Sequence, residues 1–203
     1  MVSLNPGESL REGKSFMIQA TQNKESRVRQ GDILRDIDLI EYVAEEQGEL
    51  EISAIRFPLV VVLSQDCDLE WDFQFKTSEP PRTTQDKWLL SVLVAPLYNA
   101  EHFYDGKHLS ELRRTMRTVP RKGTEHAFLV NNQHPRYHFL QFSTDIPIVD
   151  SVVDFKHYFS VNVDTLKQLA PERFVCSVLQ LYREDICHRF ASYLSRIGLP
   201  EAL

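Results

Sequence analysis

The chain has 203 residues, of which 42% are hydrophobic and 26% charged, with a formal net charge of −6. That balance suits one soluble globular domain over residues 1–203 and argues against a surface that coats nucleic acid all round. No apolar run reaches the roughly 20 residues needed to span a bilayer, so no membrane segment is expected. The three cysteines, Cys67, Cys176 and Cys187, are odd in number and form no CxxC pair. This argues against a disulfide framework or zinc ribbon and for a reducing setting. The opening MVSLNPGESLREGK lacks the apolar stretch of a secretory leader, and a cytoplasmic location is expected.

Residues 1–29 are polar and show no clear period. From Asp32 the pattern is strand-like. Ile33, Ile37 and Leu39 lead to a turn at Gln47-Gly48, after which Leu50, Ile52 and Ala54 alternate with Glu51 and Ser53. Leu59 to Leu63 is a short continuous apolar run, as in a strand covered on both faces. Acidic residues then recur at Asp66, Asp68, Glu70 and Asp72. Their period of two predicts an extended segment leaving the core, with Leu69, Trp71 and Phe73 turned inward. The chemical alternative is an oxygen-ligand set for Mg2+ or Ca2+ built on Asp66 and Asp68. Cys67 lies among them without a neighbouring base.

Thr77 to Lys87 is a loop, and WLLSVLVAPL after it is a buried strand stopped by Pro96. Ser110 caps a short helix over ELRRTM. RYHFLQF alternates, and VVDFKHYFSVNV reads as one strand with Val153, Phe155, His157, Phe159, Val161 and Val163 on its core face. Leu179, Tyr182, Ile186, Phe190, Tyr193, Leu194 and Ile197 recur every three or four positions. They predict one long helix over 171–197, begun by Pro171 and closed by Gly198 and Pro200. The expected fold is mainly β (α+β): a barrel or strongly bent antiparallel sheet over 29–165 with a long C-terminal helix docked on it.

Charge is unevenly placed. Between Asp32 and Glu51 stand eight acids and one base, Arg35. Between Lys107 and His138 stand seven bases, Lys107, Arg113, Arg114, Arg117, Arg121, Lys122 and Arg136, against Glu111 and Glu125. The second segment offers a local face for phosphates, and the plain alternative is a solvated surface.

Three fragments, RQGDIL (29–34), IRFPLVVVLSQ (55–65) and SVLVAPL (91–97), follow one another as the strands of MazF/PemK-like toxins do, and residues 29–98 resemble that family. The resemblance implies an SH3-like barrel that binds or cuts single-stranded RNA without a cofactor or metal. It places the family's phosphate-gripping arginine on Arg56, with Phe57 intervening before Pro58. The family's threonine falls on Tyr98. A planar guanidinium suits a phosphate in transition, and His134 or His138 could serve as general acid and base. Arg113, Arg114, Arg117, Arg121, Lys122 and Arg136 would contact the RNA backbone, and Tyr137, Phe139 and Tyr158 could stack on bases. Two functions stay open: an RNA-interacting protein with endoribonuclease activity, or a silent barrel that binds a ligand or a protein partner through the acidic 32–51 segment. A homodimer is left open as well.

Overall fold

Residues 17–196 are described by the structure, a computed structural model. Two short strands, β1 (Met17–Ile18) and β2 (Ala20–Thr21), precede a long hairpin of β3 (Asp32–Glu46) and β4 (Glu49–Val62). Gln47 and Gly48 join the two with φ of 56° and 84°. A pair of left-handed residues gives the turn twist that matches two antiparallel strands. Helix α1 (Asp66–Lys76) follows, then β5 (Ser91–Asn99), α2 (Ala100–Tyr104) and a single 3-10 turn at Ser110–Leu112. Next come α3 (Thr124–Val130), β6 (Tyr137–Phe142), β7 (Ser151–Asp154), a second 3-10 turn at Phe155–His157 and β8 (Phe159–Asn162). Helix α4 (Val163–Arg173), β9 (Phe174–Val178) and α5 (Gln180–Leu194) complete the described chain.

Nine strands form one open sheet in the order β1-β6-β7-β5-β4-β3-β9-β2, with β8 beside β5. Every pairing is antiparallel except that of β1 with β6. The protein is therefore a mixed α+β fold built on a large, mostly antiparallel open sheet with five helices among the described residues. The Leu59–Leu63 run behaves as its composition requires. Val61 belongs to a core cluster with Ile33, Leu140, Phe155, Ile186 and Phe190, while Val60 and Val62 join Leu34, Ile37, Leu69, Phe159 and Leu166 in a second cluster. Helix α5 thus supplies one cover of the sheet and α1 with α4 the other, and burial of these faces is the main force holding the layers together.

Three expected elements are corrected. The acidic stretch from Asp66 is helical, not extended. Spacings of three and four decide it here: Leu69 and Asp72 share the buried side, and Trp71 stacks edge-on with Phe75 at 5.6 Å. Asp66 and Asp68 sit in the first turn, where the helix dipole favours negative charge. Trp71 is exposed rather than inward.

The long helix over 171–197 is three elements. Pro171 falls near the end of α4, and the β-prone run FVCSV forms β9 against β3 before α5 begins. Ile197, Gly198 and Pro200 lie outside the described residues. The strand VVDFKHYFSVNV is broken at Phe155–His157, and the helix over ELRRTM amounts to one 3-10 turn that stops at Arg113 in the left-handed conformation. No helix among the described residues is long and apolar enough to cross a membrane.

Candidate functional site

The middle of the sheet gathers polar side chains where β5 changes neighbours. Ser91–Val94 of β5 pair with β8, and Leu97–Asn99 pair with β7 on the same edge. The 3-10 turn between β7 and β8 fits into that fork. It brings Asp154 and His157, three residues apart, onto one side, where an unbroken strand would have set them on opposite faces.

Tyr98, buried on β5, shares a hydrogen bond between its hydroxyl and His157 Nδ1 at 2.9 Å. Asp154 Oδ2 lies 3.4 Å from the same nitrogen. The Asp154 carboxylate is fully buried and is held by Arg136 through both Nε (2.7 Å) and Nη2, with the Lys156 amide donating at 3.0 Å. Such a two-pronged guanidinium–carboxylate pair fixes both partners in direction as well as distance. His108 completes the group. Its ring lies 4.9 Å from that of Tyr98 and stacks on Phe103 at 4.8 Å, and neither of its buried nitrogens has a hydrogen-bond partner among the described residues.

The electrostatics follow from that geometry. Burial and then the charge of Asp154 push the Tyr98 phenol well above its ordinary value, so it keeps its proton. Burial lowers His157, only partly offset by Asp154. Burial also lowers His108, to about 4. Both imidazoles are therefore neutral near pH 7. Two tautomers are served at His157: Nδ1 can accept from Tyr98, or it can carry the proton towards Asp154 and leave Nε2 with a free lone pair. That is the arrangement a general base needs.

The basic segment lies over this centre. Gly106, with φ of 67°, lets the chain turn so that Met116 N–H donates to its carbonyl at 3.0 Å, while Val119 N–H donates to Tyr104 at 3.0 Å. This pins residues 106–119 beside α2. The charge of Arg114 acts on both Tyr98 and His157, and that of Arg117 on Tyr137. Arg113, Arg114 and Lys122 have no carboxylate partner among the described residues. Arg117 pairs with Glu125, and Arg121 with Glu101 and Asp105.

Of the residues singled out in the sequence, Tyr98 and Arg136 belong to this group and are linked through His157 and Asp154, and His134 stands at the margin. Its ring stacks on Tyr137 at 4.5 Å, and burial followed by the charge of Arg136 lowers it. Arg56 is elsewhere. Its neighbour Phe57 faces Tyr98 with ring centroids 6.5 Å apart, so Arg56 points to the opposite face, 63% exposed and bound to Asp38 at 2.8 Å. His138 is on the α5 side. It packs near Phe155 (6.2 Å), is pushed down to about 3 by burial and then by Arg189, and so stays uncharged. It borders a cavity of about 590 Å3 between α3, β6 and α5 that also meets Gln133, Gln141, Tyr182 and Asp185.

Asp66 is not free for a cation. Arg27 grips it through two bonds of 2.9 and 3.0 Å, and Arg183 and Arg29 approach at 3.3 and 3.8 Å. Burial opposes its charge, but these guanidinium groups hold its carboxyl below the usual range. Asp68 is exposed on the first turn of α1. Among the described residues no three His, Cys, Asp or Glu side chains gather as a metal site.

Asp154, His157 and His108 were not found by reading the sequence. His157 falls in an apolar alternation that hides it. The one signal was the Asp154-x-x-His157 spacing, which becomes meaningful only when a turn interrupts the strand. No protein-family model, curated protein or solved structure matches this chain.

Proposed function

We propose that the protein binds single-stranded RNA across the segment carrying Arg113, Arg114 and Arg117, and cleaves it at the Tyr98–His157–Asp154 centre. The observation that carries this reading is the convergence of a neutral histidine, a protonated phenol and a clamped guanidinium within reach of the charge of Arg114, which has no carboxylate partner among the described residues. Cleavage by the ribose 2'-hydroxyl requires a base that takes its proton, an acid that gives one to the departing 5'-oxygen and a cationic surround for the charged phosphate oxygens. His157 supplies the first, Tyr98 the second, and Arg114 with Arg117 the third. Arg136 acts through Asp154 as a positioning residue. Arg56, tied to Asp38 on the other face, has no part in this centre.

The finer fold expectation, a MazF/PemK-like barrel, belongs to the same proposal. Support for it is the division of one edge of β5 between β8 and β7.

The test is incubation of the purified protein with a mixed RNA pool, with chelator present, beside Tyr98→Phe, His157→Asn and Arg56→Ala. Loss of a positioned acid or base costs about 10²–10⁴-fold in rate. Cleavage should fall by that order in the His157 variant, fall less in Tyr98→Phe and persist in Arg56→Ala. Equal cleavage by all four proteins, or RNA binding that ignores salt, would remove the proposal.

A further inference from the structure

The far half of the β3–β4 hairpin is an arm. From Ile40 through Ala54 no residue is buried. Among the described residues, β3 beyond Leu34 pairs only with β4, and β4 before Val60 pairs only with β3. The free ribbon spans about 20 Å at a strand's rise per residue. A two-stranded ribbon with nothing packed on it is marginal by itself.

Its two faces differ. A bulge at Glu41 shifts the register between Ile40 and Tyr42. The pairs Ile40↔Ala54, Val43↔Ile52 and Glu45↔Leu50 therefore share one face. On that face Ile40, Val43, Leu50 and Ile52 are 52, 56, 65 and 55% exposed. They form a contiguous apolar stripe of the few-hundred-Å² order that marks interaction surfaces. The pairs Ala44↔Glu51 and Glu46↔Glu49 lie on the other face, with Tyr42 bonded to Glu51. Between Asp36 and Ile55 the sequence has seven carboxylates and no lysine, arginine or histidine.

We infer that this arm receives an extended, lysine- or arginine-rich segment of another protein, which adds as a strand along β4 and sets its apolar side chains beside Leu50 and Ile52, continuing the stripe that these share with Ile40 and Val43. Charge complementarity decides the occupant: a second copy's arm would set Glu41, Glu45, Glu46, Glu49 and Glu51 against the same five, whereas a cationic segment pairs them. Geometry decides the edge. The bulge at Glu41 interrupts the β3 side, while β4 offers an unbroken run of backbone donors and acceptors from Glu49. The inference does not rest on the RNA reading.

The probe is a labelled ten-residue peptide alternating valine and lysine, with a valine–glutamate peptide as control. Binding is followed by fluorescence anisotropy at two salt concentrations and by amide hydrogen exchange over residues 49–57. The cationic peptide should bind the wild type, protect those amides and lose affinity in salt. Affinity should drop at least tenfold in Val43→Ser/Ile52→Ser and also in Glu45→Gln/Glu46→Gln/Glu49→Gln, with the thermal midpoint held in both as a check on folding. Undiminished binding by the serine variant would reduce the effect to bulk charge and overturn the inference. So would unprotected amides. A dimer in sedimentation that the serine variant abolishes, without peptide binding, would assign the stripe to a second copy and equally overturn it.

Discussion

Asp32→Asn isolates a pH dependence that one buried carboxyl imposes on the fold. Asp32 opens β3 and is almost wholly buried, accepting the Arg29 amide at 2.8 Å. Burial pushes its carboxyl up from 3.8 to about 6, against the hydrogen bonds from Arg29 and Ser177 and the charge of Arg29, and with help from the charge of Asp66. The folded state therefore favours the protonated acid more than the unfolded chain does. The resulting stability is complete below about pH 4 and is lost as pH rises through about 6, a difference on the order of 3 kcal/mol. Asparagine keeps an acceptor oxygen and cannot ionise. Urea unfolding of wild type and variant at intervals from about pH 4 to about pH 8 gives the difference directly, provided the urea slope is unchanged. The variant should gain on the wild type by about that amount across the window. A difference that stays constant, or that moves the other way, refutes the assignment of the shift to this carboxyl.

Four further outcomes are expected. His108→Phe removes two buried unpartnered nitrogens and a neutral imidazole whose contribution is present above about pH 6.5 and lost as pH falls through about 4. Its unfolding curve should be at least as stable at neutral pH and less sensitive to acid, whereas a steeper acid limb would contradict the burial argument. Gly106→Ala places a Cβ against the Met116 carbonyl at a positive φ, and calorimetry should register a loss of about 1–3 kcal/mol or more. Neutralising Arg113, Arg114 and Arg117 together should weaken RNA binding and flatten its dependence on salt by up to about one logarithmic unit of slope per lost phosphate contact, and an unaltered slope rejects the patch. Asp66→Ala leaves Arg27 and Arg183 packed without their carboxylate, at a cost of about 3 kcal/mol by denaturant unfolding.

Local chemistry was sufficient for what depends on neighbours in the chain. Gln47-Gly48 fixed a turn, alternation after Leu50 fixed a strand, and the valine run at 59–63 fixed a strand buried on both faces, because each is decided by backbone preference and side-chain period. The α+β class followed from those elements. Periods failed where two structures satisfy one pattern. Asp66–Asp72 fits a strand and a helix alike, and only the burial of Leu69 and Asp72 against α4 and the 72–89 contact selected the helix. The C-terminal segment reads as one helix until β3 offers its edge to Phe174–Val178, since pairing with an open strand outweighs helical propensity. The candidate site depended most on tertiary structure. Tyr98 and Arg136 were visible as residue types, but their partner Asp154 and the imidazoles of His108 and His157 come from distant stretches. Their protonation is set by burial, a property that no residue possesses until the sheet and its helices close around it.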